Sequence, residues 1–145
     1  MHAAGDPAPE ISATNQHGET VTPDFKEPTV VYFYPKDFTG GCTIEANEFQ
    51  DVLPEYRDAG ITVYGVSMDD RESHADFADE HGLEFELLAD PEGTVAAAFG
   101  LDTTEGYTDR QTFALADGEV IATYDPEMAE PTGHAREVLD ETRTR

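Results

Sequence analysis

The apolar run at residues 30–34 constrains the fold of this chain more than any other feature. Its sequence, Val-Val-Tyr-Phe-Tyr, favours β-structure and shows no polar alternation, as is typical of a strand covered on both faces of its sheet. The segment that follows, 35–42, contains a proline, a threonine, two glycines and the single cysteine, Cys42. A helical pattern begins there, so the sequence predicts a buried strand, a tight loop and a helix whose N-terminus carries a lone thiol.

Two longer helices are predicted from apolar spacing and from helix-start signals. Apolar residues recur at intervals of three and four positions over residues 49–56, which predicts a helix over residues 42–59 with one face in the core. Pro54 lies within this stretch and is expected to kink or split the helix. The second helix is expected over residues 73–81, with Ser73 at its start in a capping-box-like sequence.

The remaining segments predict an α/β domain. Asp117-Gly118 is a strong signal for a two-residue hairpin loop. The sequence also predicts an N-terminal hairpin within residues 8–21, strands over 61–67 and 86–89, and a short helix over 94–99. Two strands flank Asp117-Gly118 within residues 111–124, and a last helix covers residues 132–142. Helices that alternate with strands and a closing hairpin indicate a three-layer α/β/α domain with a mixed central sheet.

The charge of the chain is extreme. Eight Lys and Arg residues against 32 Asp and Glu residues give a formal net charge of −24. Apolar segments recur between the acidic residues, so we expect a folded domain rather than a disordered chain. Such a surface repels phosphate backbones and anionic lipids, which argues against nucleic-acid and membrane partners. Because about 1 M salt shortens the Debye length to about 3 Å, the composition predicts a protein from a halophile.

Length and cysteine content further restrict the class of protein to which this chain can belong. The 145 residues are expected to form one domain over 1–145, which would bury about 70% of its unfolded surface. The N-terminus has no secretory pattern, and no apolar run approaches the roughly 18 residues of a membrane helix. We therefore expect a cytoplasmic protein, and we predict no cofactor and no metal site. One cysteine excludes an internal disulfide.

Two interpretations of Cys42 are open from the residues alone. A lone cysteine is most often a small buried apolar residue. The polar loop before it favours a reactive thiol, since a helix N-terminus carries partial positive charge and free N–H groups that stabilise a thiolate. Two glycines allow a tight backbone near the sulfur, Thr39 supplies a hydroxyl and Pro35 restricts the loop. Arg110, just before a predicted strand, is a candidate second cation.

The sequence Pro35-x-x-x-Thr39-x-x-Cys42 resembles the active-site signature of the peroxiredoxins. Other stretches are similar to the bacterioferritin-comigratory, or peroxiredoxin Q, branch of that family: residues 32–36, 40–46, 65–70, 73–77, 87–93 and 109–113. The resemblance covers about residues 5–139. It implies a thioredoxin-like fold with the N-terminal hairpin of peroxiredoxins.

The resemblance also implies a role for each matching residue. Cys42 would be the peroxidatic cysteine, whose thiolate attacks hydrogen peroxide or an organic hydroperoxide and becomes a sulfenic acid. Thr39 would hydrogen-bond the peroxide and the sulfur, and Pro35 would shield and shape the pocket. Arg110 would stabilise the thiolate and the charge that moves between the oxygens. Glu45 resembles a residue that orients Arg110.

The chain departs from the family pattern at one position. Many members of this branch carry a resolving cysteine five residues after the peroxidatic one, where this chain has Asn47. An external small thiol or a thioredoxin-like protein would then reduce oxidised Cys42, and a monomer is expected, as is common in this branch. One alternative is a thioredoxin-like oxidoreductase, which the missing Cys-x-x-Cys disfavours. The other is a redox sensor that passes oxidation from Cys42 to a partner protein.

Other polar residues receive structural interpretations. His74 and His81 share one helical stripe, but a metal site would need further ligands, and we expect both to cover an edge of the core. Asp37 is interpreted as an ordinary loop carboxylate. Asp69 and Asp70, which with Glu72 could bind a cation weakly, are interpreted as part of the solvated acidic surface. His134 is assigned no role.

Overall fold

The computed structural model describes residues 3–124 and 134–143. In chain order the elements are β1 (Ala13–Asn15), β2 (Thr20–Val21), β3 (Thr29–Phe33), α1 (Gly40–Asp58), β4 (Thr62–Ser67), α2 (Arg71–His81), β5 (Glu86–Ala89), α3 (Thr94–Ala98), β6 (Gln111–Ala116), β7 (Glu119–Tyr124) and α4 (His134–Arg143). None of the helices within the described ranges combines the length and the apolar character that crossing a bilayer demands.

The strands form one mixed sheet in the order β2-β1-β5-β4-β3-β6-β7. Strand β3 pairs in parallel with β4 and antiparallel with β6, and every residue of β3 is buried, as predicted for the central strand. Because β6 is antiparallel to β3, Phe33 at the end of β3 lies opposite Gln111 at the start of β6. This register brings the segment before β6 next to the loop that follows β3.

The sheet separates two apolar cores. Alternate residues of β3 point to opposite faces, so that Val30 and Tyr32 pack in the core that contains residues of α1, α2 and α4. Val31 and Phe33 pack in the other core, with residues of α3. The predicted three-layer α/β/α arrangement around a mixed sheet is confirmed.

A glycine makes room for the aromatic packing beneath α1. The ring of Tyr32 stacks on Phe49 of α1, with 4.4 Å between ring centroids. On the neighbouring strand, a Cβ atom at Gly65 would lie 2.9 Å from the Tyr32 ring and 2.9 Å from Leu87. A side chain at position 65 would therefore overpack the face of the sheet on which α1 rests.

Both predicted hairpins are present. Strands β1 and β2 pair antiparallel as the N-terminal hairpin. At the turn between β6 and β7, Asp117 and Gly118 have φ values of 55° and 76°. Positive φ at both central residues is the geometry of a type I′ turn, whose twist matches that of the flanking strands.

Two helix predictions need correction. Helix α2 begins at Arg71, and its N-cap is Asp70, whose carboxylate accepts from the Ser73 N–H at 2.8 Å. Ser73 is therefore inside the helix, because the Asp70 carboxylate satisfies a free N–H group and favours the positive end of the dipole. Helix α1 is continuous through Pro54, so the expected split does not occur, whereas a kink there stays a prediction. Leu53 and Tyr56 are both buried, and their packing holds the helix on either side of the proline.

The C-terminal helix agrees with the prediction where it is described. Ala135, Val138 and Leu139 of α4 are buried against the core shared with α1. The predicted start of this helix at residues 132–133 lies outside the described residues.

Candidate active site

The N-terminus of α1 carries Cys42. Thr39, just before the helix, has an extended backbone, and the Thr43 N–H donates to the Thr39 carbonyl at 2.9 Å as the first helical bond. The N–H groups of residues 40–42 therefore have no acceptor within the helix and lie at the positive end of its dipole. Cys42 is a free cysteine in this first turn and is 1% exposed. A negative charge on its sulfur is stabilised at this position.

Arg110 contacts the sulfur of Cys42. The antiparallel register of β3 and β6 places Arg110, one residue before β6, beside the loop that follows β3. Its Nη2 lies 3.5 Å from Cys42 Sγ, and its Nη1 donates to Glu45 Oε1 at 2.7 Å. The guanidinium is 2% exposed, so water screens its charge little. A cysteine that only fills the core has no such cation beside it, which favours the reactive interpretation of Cys42.

Glu45 is a buried carboxylate held at one oxygen by Arg110. Burial raises the pKa of Glu45 to about 7, and Arg110 opposes that rise. The Oε2 atom has no hydrogen-bond partner among the described residues, and His134 Nε2 lies 3.9 Å from it. Burial, followed by the positive charge of Arg110, lowers the pKa of His134 to about 4. No local pattern pointed to His134, because only tertiary packing brings α4 beside α1.

Thr39 and Pro35 lie on the loop that leads to Cys42. The Thr39 hydroxyl donates to the Lys36 carbonyl at 2.8 Å, so its proton is directed away from the sulfur and its lone pairs are available to a hydroxyl donor. Pro35 is half-buried. Together with Met68, Asp69 and Tyr107 it lines a surface cleft of about 440 Å³.

Three large apolar side chains are exposed close to these residues in the sequence. Phe38 is 50% exposed, Tyr107 43% and Ile44 38%. Phe38 and Ile44 flank Cys42 along the chain, and Tyr107 lies in the loop before Arg110. An acidic chain thus presents apolar surface on the segments that form the thiol site.

The same loop carries a buried polar network that the sequence analysis missed. The interpretation of Asp37 as an ordinary loop carboxylate is wrong, because Asp37 is 3% exposed. Its Oδ1 accepts from Tyr34 OH at 2.6 Å, while its Oδ2 accepts from Ser73 Oγ at 2.8 Å and lies 2.7 Å from His74 Nδ1. His74 is fully buried, so it does not cover a core edge. Asp69 is not merely solvated, because its Oδ2 accepts from the Asp37 N–H at 2.8 Å.

One sequence signal could have indicated this network. The carboxyl ends of the parallel strands β3 and β4 meet at the same sheet edge, so the segments that follow them are neighbours. Asp37 follows β3, and Asp69 and His74 follow β4. Whether their side chains turn inward depends on packing that no local pattern reveals.

The described residues include one group that could be considered for a metal ion. Ligand atoms of Asp37, Asp69 and His74 lie within 4.8 Å of one another. The 2.7 Å separation between His74 Nδ1 and Asp37 Oδ2 is a hydrogen-bond distance, whereas two ligands on one tetrahedral zinc ion lie about 3.3 Å apart. The carboxylate oxygens also accept hydrogen bonds from Tyr34 and Ser73. The donor set therefore fits a hydrogen-bonded network better than a metal centre.

Comparison with known proteins identifies a family and several relatives that this chain resembles. The AhpC/TSA family matches residues 4–123 of the chain. Peroxiredoxin Bcp of Bacillus subtilis (strain 168) is 43% identical over 97 residues, which cover 66% of this chain and 62% of that protein. Chloroplastic peroxiredoxin Q of Triticum aestivum is 37% identical over 139 residues, which cover 93% of this chain and 64% of that protein. The matches thus span less than two thirds of the length of these two relatives.

A solved structure shares the whole architecture. Peroxidoxin BcpB from Mycobacterium tuberculosis superimposes with a TM-score of 0.89 and 29% sequence identity, covering 99% of this chain and 98% of that one. The thioredoxin-like fold with its mixed sheet, expected from the resemblance, is confirmed.

Proposed function

This chain belongs to the AhpC/TSA family, and on that premise we propose that it is a thiol-dependent peroxidase that reduces hydrogen peroxide or organic hydroperoxides at Cys42. The observation that carries the proposal is the sulfur of Cys42 in the first turn of α1, 3.5 Å from Arg110 Nη2. A helix N-terminus and a buried guanidinium stabilise both a thiolate and the negative charge that it passes to an oxygen.

In the oxidising half-reaction the Cys42 thiolate attacks the terminal oxygen of the hydroperoxide. The S–O bond forms as the O–O bond breaks, and the sulfur loses the two electrons that reduce the peroxide. The departing oxygen takes up a proton and leaves as water or as an alcohol, so that one thiol and one hydroperoxide give one sulfenic acid and one hydroxyl compound. Arg110 is close enough to the sulfur to stabilise charge at both ends of this transfer.

The surrounding residues have supporting parts in this proposal. Glu45 accepts from Arg110 Nη1 at 2.7 Å and so fixes the plane of the guanidinium while Nη2 faces the sulfur. The lone pairs of Thr39 Oγ1 accept the hydroperoxide O–H, since the hydroxyl proton is already directed to Lys36 O. Pro35 forms part of the wall of a surface cleft, and exposed Phe38 and Ile44 offer apolar contact to an organic hydroperoxide.

The reducing half-reaction needs sulfur from outside the chain, because Cys42 is the only cysteine of the 145 residues. One external thiol condenses with the sulfenic acid, which releases water and leaves a mixed disulfide at Cys42. A second thiol attacks the external sulfur, restores the Cys42 thiol and leaves the reductant as a disulfide. We propose this one-cysteine cycle, with a small thiol or a thioredoxin-like protein as reductant and with the chain acting as a one-domain monomer.

The test is peroxide consumption in molar salt by the parent and by Cys42→Ser, with an added dithiol as reductant. We expect thiol-dependent turnover by the parent and none above background by Cys42→Ser. Asn47→Ser serves as a matched control on the same helix and is expected to turn over like the parent. Equal turnover by the parent and Cys42→Ser would refute the proposal.

A redox sensor shares the first chemical step, and the buried position of Cys42 (1% exposed) gives that alternative a specific basis, because a recognised partner would be needed to reach the sulfur. Mass spectrometry of Cys42 after one equivalent of peroxide separates the two functions. Repeated turnover with a small thiol supports the peroxidase. A sulfenic acid that persists with small thiols and is discharged only to one partner protein supports the sensor.

A further inference from the structure

A buried ionisable pair lies on the loop that carries Cys42 without contacting the sulfur. His74 is 0% exposed and Asp37 is 3% exposed, and His74 Nδ1 lies 2.7 Å from Asp37 Oδ2. Tyr34 and Ser73 donate to the same carboxylate. The proposed peroxidase chemistry gives this network no part. Tyr34, Asp37 and His74 are buried, and burying polar side chains is unfavourable unless each is hydrogen-bonded.

The two nitrogens of His74 both face acceptors. Nε2 lies 3.0 Å from the Leu88 carbonyl, which can only accept, so Nε2 carries a proton. Nδ1 faces the Asp37 carboxylate, which already accepts hydrogen bonds from two hydroxyl groups. A further proton must therefore lie between His74 and Asp37, as a charge-assisted hydrogen bond of the strong class. If either residue loses its ionisable group, the other is left buried without its partner.

This bond joins the active-site loop to the next βα unit. Asp37 lies between β3 and α1, five residues before Cys42, whereas His74 and Ser73 belong to α2. The backbone is tied at the same place, since the Asp37 N–H donates to Asp69 after β4 at 2.8 Å. Asp37 thus joins the loop by hydrogen bonds both to α2 and to the end of β4.

The residue after Asp37 makes such an anchor necessary. Phe38 has φ 65°, a left-handed conformation that an aromatic residue adopts only when its surroundings impose it. Its half-exposed ring packs edge-on against Phe77 of α2, with 5.1 Å between centroids. The Asp37 contacts therefore hold the loop directly beside a residue with a strained backbone.

The proposed reaction also needs this loop to open. Cys42 is 1% exposed, yet a mixed disulfide requires an outside sulfur to come within about 2 Å of its Sγ. The closed loop suits peroxide, a small molecule, and an open loop suits the reductant. Resting on the proposed function, we propose that Asp37 and His74 are positioning residues whose bond holds the Cys42 loop closed for peroxide reduction and limits the access of outside thiols to the sulfur.

The experiment compares Asp37→Asn, His74→Gln, the double variant and the parent in molar salt, with two readouts at Cys42. One is the second-order rate of oxidation by hydrogen peroxide, followed by mass spectrometry of quenched samples. The other is the rate at which the reduced thiol reacts with dithiodipyridine, a neutral disulfide, followed by absorbance. We expect each single variant to speed labelling about tenfold, since a broken buried pair costs well over the 1.4 kcal/mol that corresponds to about a factor of ten. Oxidation is expected to slow by less, because its rate falls only with the fraction of molecules whose loop stays closed.

Two controls separate positioning from general instability. His81→Gln alters a partly exposed histidine on the same helix and is expected to leave both rates unchanged. Val138→Ala removes packing from the core on α4; at matched melting temperature it is expected to label more slowly than the pair variants. The double variant removes both charges at once, so its changes are expected to be smaller than the product of the two single changes.

Three results would each overturn the proposal. In the pair variants, one is that the rates of oxidation and of labelling fall together, and another is labelling no faster than in Val138→Ala. In the double variant, the third is a change in rate that equals the product of the two single changes. Failure of the proposed peroxidase is distinguishable, because the parent would then not be oxidised at Cys42 by peroxide, whereas dithiodipyridine labelling would still report on the loop.

Discussion

Replacing Arg110 by glutamine tests the charge arrangement at Cys42 most directly. Two unit charges 3.5 Å apart attract by about 5 kcal/mol at an effective dielectric constant of about 20. Part of this attraction is present before and after oxygen transfer, so only the difference accelerates the reaction. Loss of one preorganised donor commonly costs about 3 kcal/mol, and we therefore expect Arg110→Gln to lower the second-order rate constant with hydrogen peroxide roughly a hundredfold.

The variant is expected to fold. Removing Arg110 leaves Glu45 buried without its cation, but burial already raises the pKa of Glu45 to about 7, so the carboxyl can take up a proton and avoid an unpaired buried charge. Arg110→Lys keeps the charge, but a single ammonium cannot reproduce the fork that spans Glu45 and Cys42. We expect its rate constant to fall between those of the parent and Arg110→Gln.

The assay is competition for hydrogen peroxide against a haem peroxidase of known rate, in molar salt. Arg136→Gln is the matched control, because Arg136 pairs with Glu55 on the exposed surface, where ion pairs contribute little. It is expected to react like the parent. A rate constant for Arg110→Gln within a factor of about three of the parent would refute the reasoning.

The remaining predictions concern stability. The folded-state pKa of Glu45 (about 7 against an ordinary 4.5) lies above its unfolded value, so its contribution to stability falls as pH rises through that window, by about 3 kcal/mol; in urea titrations the parent should lose this amount relative to Glu45→Gln as pH rises from 4.5 to about 7. The pKa of His134 is lowered from 6.5 to about 4, so the parent should lose about 3 kcal/mol relative to His134→Gln as pH falls through that range. For either residue, a difference in unfolding free energy between parent and variant that stays constant with pH would contradict its pKa. With net charge −24, the thermal midpoint should rise between about 0.1 M and 1 M salt, as the Debye length shortens from about 10 Å to about 3 Å; a flat midpoint from calorimetry would remove the halophile interpretation.

Local features of the fold were predictable because their causes are local. The turn at Asp117-Gly118 follows from the tolerance of these residues for positive φ, and both adopt it. The start of α2 is ambiguous from local sequence because Ser73 and Asp70 are both good capping residues, and only the observed bond from the Ser73 N–H to Asp70 distinguishes them.

The sequence by itself determined that a buried strand leads through a short polar loop to a lone thiol at a helix N-terminus. Apolar spacing, glycine and threonine act over a few residues, and they suffice to put Cys42 in the first turn of α1. Its position just before a predicted strand made Arg110 a candidate cation, and the family resemblance also pointed to it.

Only the tertiary structure decided which groups surround that thiol. The antiparallel register of β3 and β6 sets the 3.5 Å contact between Arg110 and Cys42, and the docking of α4 on α1 brings His134 beside Glu45. The turning of Asp37 inward onto His74 depends on segments that follow two neighbouring strands. Such contacts join residues far apart in the chain, and no local pattern encodes which strand edge or helix face will bury a polar side chain.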